Sequence, residues 1–349
     1  MLSSELEYDL PDELIATQPA APRDSARLMV IFRDEDRIEH HHVRDLPRFL
    51  NATDTLIFND SRVLPAHFPA TRTATGGRIT GLYLESHQDV WRVMLESRGK
   101  LRAGEKITLT DQAHLELIAP EGGGEWSASL RSEHTTFELL HQIGSPPLPP
   151  YIRKRRSALG TAPIQPSDIE RYNTVYAAAD GSVAAPTAGL HFTQDLLAQL
   201  DQSNITRHNV TLHVGLGTFA PVRTESVKDH PIHSEWIQIP RQTIKHVRSA
   251  EGRMIPVGTT SVRAIESLPD DCDDQSDFTT NTNLFITDQG FPFRYTDALM
   301  TNFHLPHSTL LALVAALPGV GLERLKDWYR IAIEKEYRFY SYGDAMLIL

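Results

Sequence analysis

The sequence predicts a mixed α/β fold in which a larger α/β domain carries a small inserted antiparallel β-barrel domain. Its 349 residues suffice for about two domains at roughly 150 residues each. Between residues 72 and 132 the chain consists of short alternating apolar runs separated by turns, which is typical of a small barrel or sandwich. On either side, apolar runs alternate with helical periodicity, as in α/β folds. We expect the larger domain to comprise residues 1–65 and 150–349, and the barrel residues 66–149.

The first predicted strand of the larger domain ends in polar residues. A short helix at Arg44–Leu50 precedes the apolar run Thr55–Phe58, which is followed by Asn59, Asp60 and Ser61. Ligands of α/β sheets bind at the carboxyl ends of the strands. Asn59 and Asp60 are therefore candidate site residues.

The inserted domain is predicted to contain five closely spaced strands. They are Arg78–Glu85, Val90–Glu96, Lys106–Thr110, His114–Ile118 and Glu125–Leu130. A short helix at Phe137–Ile143, capped by Thr136, follows them and ends at Gly144.

After Tyr151 the pattern of alternating helices and strands returns. Helices are predicted at Thr193–Gln202, Ser261–Ser267, Thr309–Leu317 and Gly321–Glu336, and strands at Val210–Val214, Met254–Val257 and Asn283–Ile286. The segment Pro269–Asn283 is rich in Asp, Thr and Asn, and we expect a mobile loop without chemistry there.

Composition and charge narrow the possible functions. The 45 acidic and 34 basic side chains give a formal charge of -11, which predicts weak nonspecific adhesion to nucleic acid but leaves a specific RNA substrate open. The longest apolar run, Leu310–Leu317, is far shorter than the roughly 20 residues of a membrane-spanning helix. The acidic N-terminus lacks the apolar core of a secretory signal, so we expect a cytoplasmic protein. The lone Cys272 has no partner for an internal disulfide.

Four segments combine small residues, which permit close backbone approach to a ligand, with polar side chains. They are Gly181–Phe192, Thr211–Phe219, Gly258–Ala264 and Thr301–Thr309. The second segment contains GxG but lacks the third glycine of a dinucleotide fingerprint. The third follows a predicted strand and opens a predicted helix, a geometry that suits a carboxylate or phosphate, with Arg263 one turn into the helix. Helix capping beside a surface arginine is the alternative interpretation of that segment.

The chain lacks the sequence motifs of several enzyme classes. It has no HExxH, paired CxxC, GxSxG or GxxxxGK[ST] pattern, so we expect no metal site, serine-hydrolase elbow or P-loop. A set of carboxylates and imidazoles remains that could supply a base and its acid partner. Its members are Asp60, Glu235 and Asp344 with His191, His213 and His233.

A basic run, Tyr151–Arg156, follows the rigid segment Pro146–Pro150 and holds four consecutive basic residues. Such a run is either a solvated surface loop or a patch that contacts phosphates. The sequence alone leaves both interpretations open.

The same segments, in the same order, resemble the S-adenosylmethionine:tRNA ribosyltransferase-isomerase family. The most specific motifs are SVAAPTAGLHF at 182–192, TNFHLP at 301–306 and YRFYSYGDAMLI at 337–348. The resemblance extends over nearly the whole chain and weakens within the barrel and across Pro269–Asn283. The chain departs from the family pattern at Ser61, at Asn173 and at Asp229–Ile232. A methyltransferase, a histidine-metal hydrolase and a noncatalytic RNA-binding module are the alternatives, and none of them matches these motifs.

The resemblance implies an activity and a set of site residues. The ribosyl part of S-adenosylmethionine is expected to pass to 7-aminomethyl-7-deazaguanine in a tRNA anticodon, giving epoxyqueuosine and releasing adenine and methionine. S-adenosylmethionine is then a consumed co-substrate, no metal or other cofactor is expected, and a monomer is plausible for a chain of this length.

Under that hypothesis, each step of the reaction has candidate residues. His191 or His213 is expected to remove a C5′ proton, oriented by Asp60 or Glu235. Arg263 and the backbone of Gly258–Ser261 are expected to bind the methionine carboxylate, and Asp344, His304 or Asn302 to assist the departure of adenine. Further substrate-binding candidates are Asn59, Arg62, Thr187, Gly215, Thr259, Thr260 and Ser261. The tRNA-binding candidates are Tyr151, Arg153, Arg155, Arg156, Tyr172 and Tyr176.

Overall fold

The structure is a computed structural model that describes residues 1–215, 222–232, 234–287 and 290–349. Its backbone divides into two units. Unit 1 comprises residues 1–62, 173–179 and 185–349, and unit 2 comprises residues 63–172 and 180–184. Residues 150–172 and 180–184 thus belong to the unit that contains the barrel, and the domain boundaries drawn from the sequence stay a prediction.

A sheet of nine strands, counted over the described residues, forms the centre of unit 1. Its members are β1 (Arg27–Phe32), β2 (Arg37–His42), β3 (Thr55–Asn59), β12 (Thr206–Leu212), β13 (Glu235–Ile239), β14 (Met254–Val257), β15 (Phe278–Thr282), β16 (Leu299–Asn302) and β17 (Ala345–Ile348). In space they lie in the order β15-β13-β12-β3-β14-β16-β17-β1-β2.

Four parallel strands at the middle of this sheet determine where a site can form. Strands β12, β3, β14 and β16 run in the same direction, so their carboxyl ends meet at one edge, here called the site edge. Strands β13 and β17 run antiparallel to their neighbours β12 and β16, so their amino ends lie at the same edge. The site edge therefore receives residues from six strands that are far apart in sequence.

Eight α-helices lie within the described residues. They are α1 (Thr136–Ile143), α2 (Pro150–Ala158), α3 (Asp168–Arg171), α4 (Gln194–Gln202), α5 (Arg241–Ser249), α6 (Thr259–Glu266), α7 (Thr309–Ala316) and α8 (Leu322–Glu334). Short 3-10 helices lie at Ser3–Leu6, Asp12–Leu14, Arg23–Ser25, Val43–Phe49, Thr187–His191 and Val227–Asp229.

Helix α4 shows how the sequence builds the core of unit 1. The Thr193 hydroxyl caps the helix by accepting a hydrogen bond from the Leu196 amide at 3.1 Å. Leu196, Leu197 and Leu200 lie on one face and are buried in the same cluster as the β3 residue Phe58. Burying each of these side chains contributes roughly 1.5–3 kcal/mol, so packing stabilises this helix more than its propensity does.

A closed antiparallel barrel forms the centre of unit 2. Within residues 63–172, all of which the structure describes, its strands lie in the order β10-β7-β6-β5-β8-β9 around the barrel. Their bounds are β5 (His67–Arg72), β6 (Arg78–His87), β7 (Val90–Ser97), β8 (Lys106–Thr110), β9 (Ala113–Gly122) and β10 (Glu125–Arg131). Two short strands, β4 (Ser61–Val63) and β11 (Ala179–Ser182), pair where the chain passes between the units.

The alternation of buried residues explains the barrel. Trp91, Val93 and Leu95 of β7 point inward at every second position. Gly81 must lack a side chain because a Cβ atom there would lie 2.2 Å from the Phe68 ring. The predicted fold class, a mixed α/β unit with a small antiparallel barrel, is confirmed, and β5 is a sixth strand that the sequence analysis missed.

Four local predictions need correction. The strand expected at Asn283–Ile286 is absent, and β15 lies instead at Phe278–Thr282, inside the segment expected to be a loop. The cap of α1 is Thr135 and not Thr136, because Thr135 forms a capping box with Glu138. The basic run Tyr151–Arg156 is helical rather than a loop, since Pro150 occupies the first turn of α2, where proline favours helix initiation.

None of the helices in the described ranges is both long and apolar enough to span a bilayer.

Candidate functional site

A cleft of about 340 Å³ lies at the site edge of unit 1 and is here called the site cleft. Its lining residues are Ala185, Thr187, Ala188, Val214, Gly258, Thr259, Thr260, Thr301, His304 and Leu310. All of them except Leu310 come from the four small-residue segments of the sequence analysis, and each segment contributes at least one residue. The site edge brings these segments together because β12, β14 and β16 all end there.

The amino end of α6 forms one wall of the cleft. Gly258, which precedes the helix, has φ of +91°, a conformation that favours glycine, and its N–H donates to the Met300 carbonyl at 2.7 Å. The first N–H groups of a helix have no partner within the helix. The Thr260 hydroxyl is buried and has no hydrogen-bond partner among the described residues. Thr259 and Thr260 therefore present donors suited to an anionic group.

Two other candidates on α6 do not face the cleft. The Ser261 hydroxyl donates to the Val257 carbonyl at 2.9 Å and is fully buried, so it holds the helix against β14. The Arg263 guanidinium pairs with Glu235 and donates from Nε to the Leu284 carbonyl at 3.0 Å. The anion site predicted from Arg263 and the Gly258–Ser261 backbone is therefore not a single site. Gly258, Thr259 and Thr260 line the site cleft, whereas Arg263 is engaged with Glu235.

His304 lines the cleft as a neutral imidazole. Its Nε2 lies 2.9 Å from the Thr301 hydroxyl, and its backbone N–H donates to the Tyr329 hydroxyl at 2.8 Å. The Tyr8 hydroxyl donates to the His304 carbonyl, so the backbone is held from both sides. Burial lowers the pKa of His304 to about 3. The ring can therefore form hydrogen bonds at neutral pH but carries no charge.

His191 is buried and contacts the side chain of Asn302. The two side chains approach within 3.1 Å, between the amide nitrogen and Nε2. The same amide nitrogen lies 3.2 Å from the Tyr340 carbonyl, and the Asn302 carbonyl oxygen has no partner within the described ranges. Burial lowers the pKa of His191 to about 4, an effect that the charge of Asp344 partly opposes.

Asp344 is braced by Arg338, a partner that the sequence analysis missed. The Asp344 carboxylate accepts from the Arg338 backbone N–H at 2.8 Å, from Nη2 at 2.9 Å, and from the Arg27 backbone N–H at 3.1 Å. In all three of these contacts the carboxylate is the acceptor. This arrangement supports a positioning role for Asp344 rather than that of an acid.

Asn59 and Asp60 occupy the end of β3. Both polar atoms of the Asn59 side chain bond to the Leu212 backbone, each at 3.0 Å, so this buried residue joins β3 to β12. Asp60 accepts from the Thr211 hydroxyl at 2.7 Å, and burial raises the pKa of its carboxyl group. Arg62 donates to the Ala177 carbonyl at 2.7 Å.

His213 and Glu235 lie on the neighbouring strands. The His213 ring stacks on Trp236 with centroids 4.8 Å apart, and its backbone N–H donates to the Trp236 carbonyl at 3.0 Å. The Gly215 N–H donates to the Glu235 carboxylate at 2.9 Å. His233 and the end of the Thr211–Phe219 segment, from residue 216, lie outside the described residues.

The tRNA-binding candidates in unit 2, most of them on the basic helix α2, differ in how far they are buried. Arg156 is buried and forms a two-pronged ion pair with the buried Asp168 at 2.6 and 2.9 Å. Tyr172 is also fully buried. Arg153 and Arg155 are half-buried, as is Tyr151. The side chains of Tyr151, Arg153 and Arg155 therefore remain partly accessible to solvent, whereas those of Arg156 and Tyr172 do not.

Tyr176, the remaining aromatic candidate, packs inside unit 1. Its ring lies 4.8 Å from that of Phe58 in an edge-to-face arrangement. A Cβ atom on Gly189 would lie 2.0 Å from the Tyr176 hydroxyl, so the glycine is needed for this packing. The structure gives Tyr176 a packing role.

Over the described part of the chain, no group of three or more His, Cys, Asp or Glu residues is placed to hold a metal ion.

Comparisons with known proteins agree with one another. The family model described as "Queuosine biosynthesis protein" matches residues 3–348. A protein of Symbiobacterium thermophilum named S-adenosylmethionine:tRNA ribosyltransferase-isomerase is 43% identical over all of both chains. A protein of the same name from Agrobacterium fabrum is 42% identical over 98% of this chain and 97% of its own.

A solved structure is also similar to this chain. It is the crystal structure of S-adenosylmethionine tRNA ribosyltransferase from Thermotoga maritima, with a TM-score of 0.55 and 31% sequence identity. The match covers 99% of this chain and 100% of that one.

Proposed function

The chain belongs to the family of queuosine biosynthesis proteins, and from that premise we propose that it is the enzyme that transfers and isomerises the ribosyl part of S-adenosylmethionine. The acceptor is 7-aminomethyl-7-deazaguanine in a tRNA anticodon, and the products are epoxyqueuosine in tRNA, adenine and methionine. One structural observation supports this proposal most directly. Residues of the motifs that carry the family resemblance, including Thr187 and His304, line one cleft at the site edge.

The reaction sets three chemical requirements. The sulfonium of S-adenosylmethionine acidifies the adjacent C5′ hydrogens, so a base can form an ylide that opens the ribose ring and expels adenine. The aminomethyl group of the tRNA base then attacks, and closure of the ring to an epoxide breaks the bond to sulfur and releases methionine. The protein must therefore bind the methionine part, supply a base near C5′, and stabilise the departing adenine.

The methionine carboxylate binds at the amino end of α6. The Thr259 and Thr260 N–H groups and the Thr260 hydroxyl form the donor set there. Arg263 belongs to this site only indirectly, since its guanidinium is engaged with Glu235.

His213 is the preferred base. It follows β12 at the site edge, it is half-buried, and the next residue, Val214, lines the cleft. Its stacking on Trp236 fixes the plane of the ring. His191 is the second candidate, but it is 4% exposed and its pKa of about 4 makes it a weaker base. Hydrogen bonds tie the nominated orienting groups, Asp60 and Glu235, to Thr211 and to Arg263 respectively.

His304 assists the departure of adenine by hydrogen bonding. Its ring lines the cleft and is neutral, so it can stabilise developing charge on the purine without transferring a full proton. Asn302 holds His191, and Asp344 is held by Arg338, so both are positioning residues.

The tRNA is recognised as a single-stranded loop with the modified base turned out of its stack. The half-buried residues Tyr151, Arg153 and Arg155 of α2 are proposed to contact it. S-adenosylmethionine is consumed as a co-substrate, and we assign no metal or other cofactor. The enzyme is proposed to act as a cytoplasmic monomer.

Product analysis tests this function. The purified protein is incubated with S-adenosylmethionine and tRNA that carries 7-aminomethyl-7-deazaguanine, and adenine, methionine and S-adenosylhomocysteine are separated by chromatography. The proposal predicts equal amounts of adenine and methionine, formed only with the modified tRNA. Formation of S-adenosylhomocysteine would instead indicate methyl transfer, and a preparation without turnover would overturn the assignment.

A further inference from the structure

A second cavity in unit 1, here called the Arg263 cavity, lies beside the site cleft. It has about 440 Å³ of empty volume, and Leu310 lines both depressions. Its lining residues are Pro231, Ile232, Glu235, Arg263, Leu284, Phe285, Ile286, Thr309, Leu310 and Leu313. This volume includes open solvent at the mouth, so the cavity is an open depression rather than an enclosed chamber.

Arg263 brings an unsatisfied donor to this cavity. Its Nη1 pairs with Glu235 and its Nε bonds to the Leu284 carbonyl, but its Nη2 is buried without a partner among the described residues. The residue is only 8% exposed, so water does not readily solvate that nitrogen. A buried donor without a partner is costly, and a ligand that presents an acceptor oxygen would satisfy it.

Glu235 places an acceptor directly beside that donor. The carboxylate is 4% exposed and accepts hydrogen bonds from Gly215 and from Arg263. Carboxylate oxygens accept more than one hydrogen bond each, so a ligand N–H can add to these contacts. Because the cation and anion neutralise one another, the pair favours an uncharged ligand edge that carries an acceptor next to donors.

The remaining walls are almost entirely apolar. Ile232, Leu284 and Phe285 are half-buried, and Ile286 and Leu313 are buried. Such walls suit the faces of a flat heterocycle, and the polar pair at one side suits its edge. A guanine-type ring presents a carbonyl oxygen beside ring and exocyclic N–H groups, which matches both conditions.

We infer that the Arg263 cavity holds the 7-deazaguanine base of the tRNA substrate, with Arg263 donating to the ring carbonyl and Glu235 accepting from the adjacent N–H groups. This inference rests on the proposed function and assigns the second substrate of that reaction its own subsite. Because Leu310 lines both depressions, a base held here lies next to S-adenosylmethionine in the cleft.

Calorimetric titration of the full chain tests the inference with two probes, free 7-aminomethyl-7-deazaguanine and S-adenosylmethionine. Glu235→Gln removes the anionic acceptor, and Leu284→Trp fills the cavity while leaving the Leu284 carbonyl in place. The matched control is Glu266→Gln, since Glu266 is also 4% exposed but bonds to Thr296 and the Arg294 and Tyr295 amides, away from the cavity. Circular dichroism establishes that each variant is folded.

The expected result is a loss of roughly tenfold or more in affinity for the free base in both cavity variants. Affinity for S-adenosylmethionine should stay within about twofold, as expected for a separate site. The control should bind both probes as the unaltered protein does. If Glu235→Gln fails to fold, Leu284→Trp decides the question.

Two results would overturn the inference. A selective loss of S-adenosylmethionine affinity would assign the cavity to the methionine part of that molecule, and unchanged affinity for both probes would make the cavity purely structural. The proposed function fails separately, through the absence of adenine release by the unaltered protein with modified tRNA. Turnover by an unaltered protein that does not bind the free base would contradict the subsite alone.

Discussion

Helix α6 contributes residues to both the site cleft and the Arg263 cavity, but the polar groups in the two sites differ: those of the cleft are uncharged, whereas those of the cavity form an ion pair. The cleft is lined by backbone donors, the Thr260 hydroxyl and the neutral imidazole of His304. The cavity holds a full ion pair between Arg263 and Glu235 beneath apolar walls. One helix serves both depressions because its first turn faces the cleft while Arg263, one turn later, faces β13.

Under the two proposed assignments, this difference separates a cationic substrate from a neutral one. Among the described residues, the cleft lining contains no arginine or lysine, which would suit a sulfonium, and it offers the helix-end N–H groups and the Thr260 hydroxyl to a carboxylate. A neutralised ion pair suits the hydrogen-bonding edge of a base. The four predictions below test this contrast from the largest expected effect to the smallest.

Replacing His213 should have the largest effect on the cleft chemistry. Loss of a general base typically lowers the rate by about 10²–10⁴-fold, so His213→Ala should reduce adenine release by that amount. The exchange of C5′ hydrogen of S-adenosylmethionine with deuterated solvent, followed by mass spectrometry, should fall in parallel. Retained exchange in His213→Ala together with lost exchange in His191→Ala would transfer the role to His191.

Removing Arg263 should have the largest effect on stability. Arg263→Met leaves the buried Glu235 carboxylate without its ion-pair partner, which should lower the free energy of unfolding by about 3–5 kcal/mol in urea titrations. The control is Arg207→Met, because Arg207 pairs with the half-exposed Asp201 at the surface and should cost about 1 kcal/mol or less. Equal losses in the two variants would show that the buried ion pair contributes no more to the free energy of unfolding than the surface pair does.

Acid should destabilise the protein through the histidines of the site edge. His191 and His304 have folded-state pKa values of about 4 and about 3, below the ordinary 6.5, so the unfolded chain takes up protons first. The stability that they contribute is complete above about pH 6.5 and declines as the pH falls toward 4, by about 3 kcal/mol for His191 at pH 4.

The histidine contribution can be isolated by substitution. Urea unfolding between pH 7 and pH 5 should show a smaller loss of stability in His304→Gln than in the unaltered protein, by up to about 1.4 kcal/mol per pH unit. The exposed His141→Gln serves as the control. Identical pH profiles for all three proteins would refute a buried neutral His304.

Removing the Thr260 hydroxyl should have the smallest effect. Thr260→Val keeps the shape of the side chain but deletes a donor that has no partner among the described residues. The Michaelis constant for S-adenosylmethionine should rise roughly tenfold or less, as expected for one lost hydrogen bond. The thermal midpoint should hold or rise, because a buried unsatisfied hydroxyl is removed. A drop in the midpoint with an unchanged Michaelis constant would give Thr260 a structural role only.

Local signals predicted much of the fold. The strand Met254–Val257 has the predicted bounds, and the glycine that follows it marks the start of α6 near the expected position. The barrel strands were recognisable because every second residue is apolar. β5 was missed because Pro69 interrupts its pattern, and proline counts against a strand in a sequence.

The site was less predictable because its contacts join distant segments. His191 and Asn302 are 111 residues apart in sequence, and Arg263 meets Glu235 across 28 residues. The sequence indicated these residue types but not which way Arg263 points, since that depends on the pairing of β13 with β12 and β15. The same applies to Arg156, whose buried partner Asp168 was not recognised from the basic run.

Isotope transfer tests the central claim most directly. The protein is incubated with modified tRNA and S-adenosylmethionine labelled either in the ribose or in the methyl group, and label is measured in the recovered tRNA and in the small-molecule products. The account predicts that ribose label enters the tRNA while methyl label leaves with methionine. Methyl label in the tRNA, with ribose label in S-adenosylhomocysteine, would contradict it.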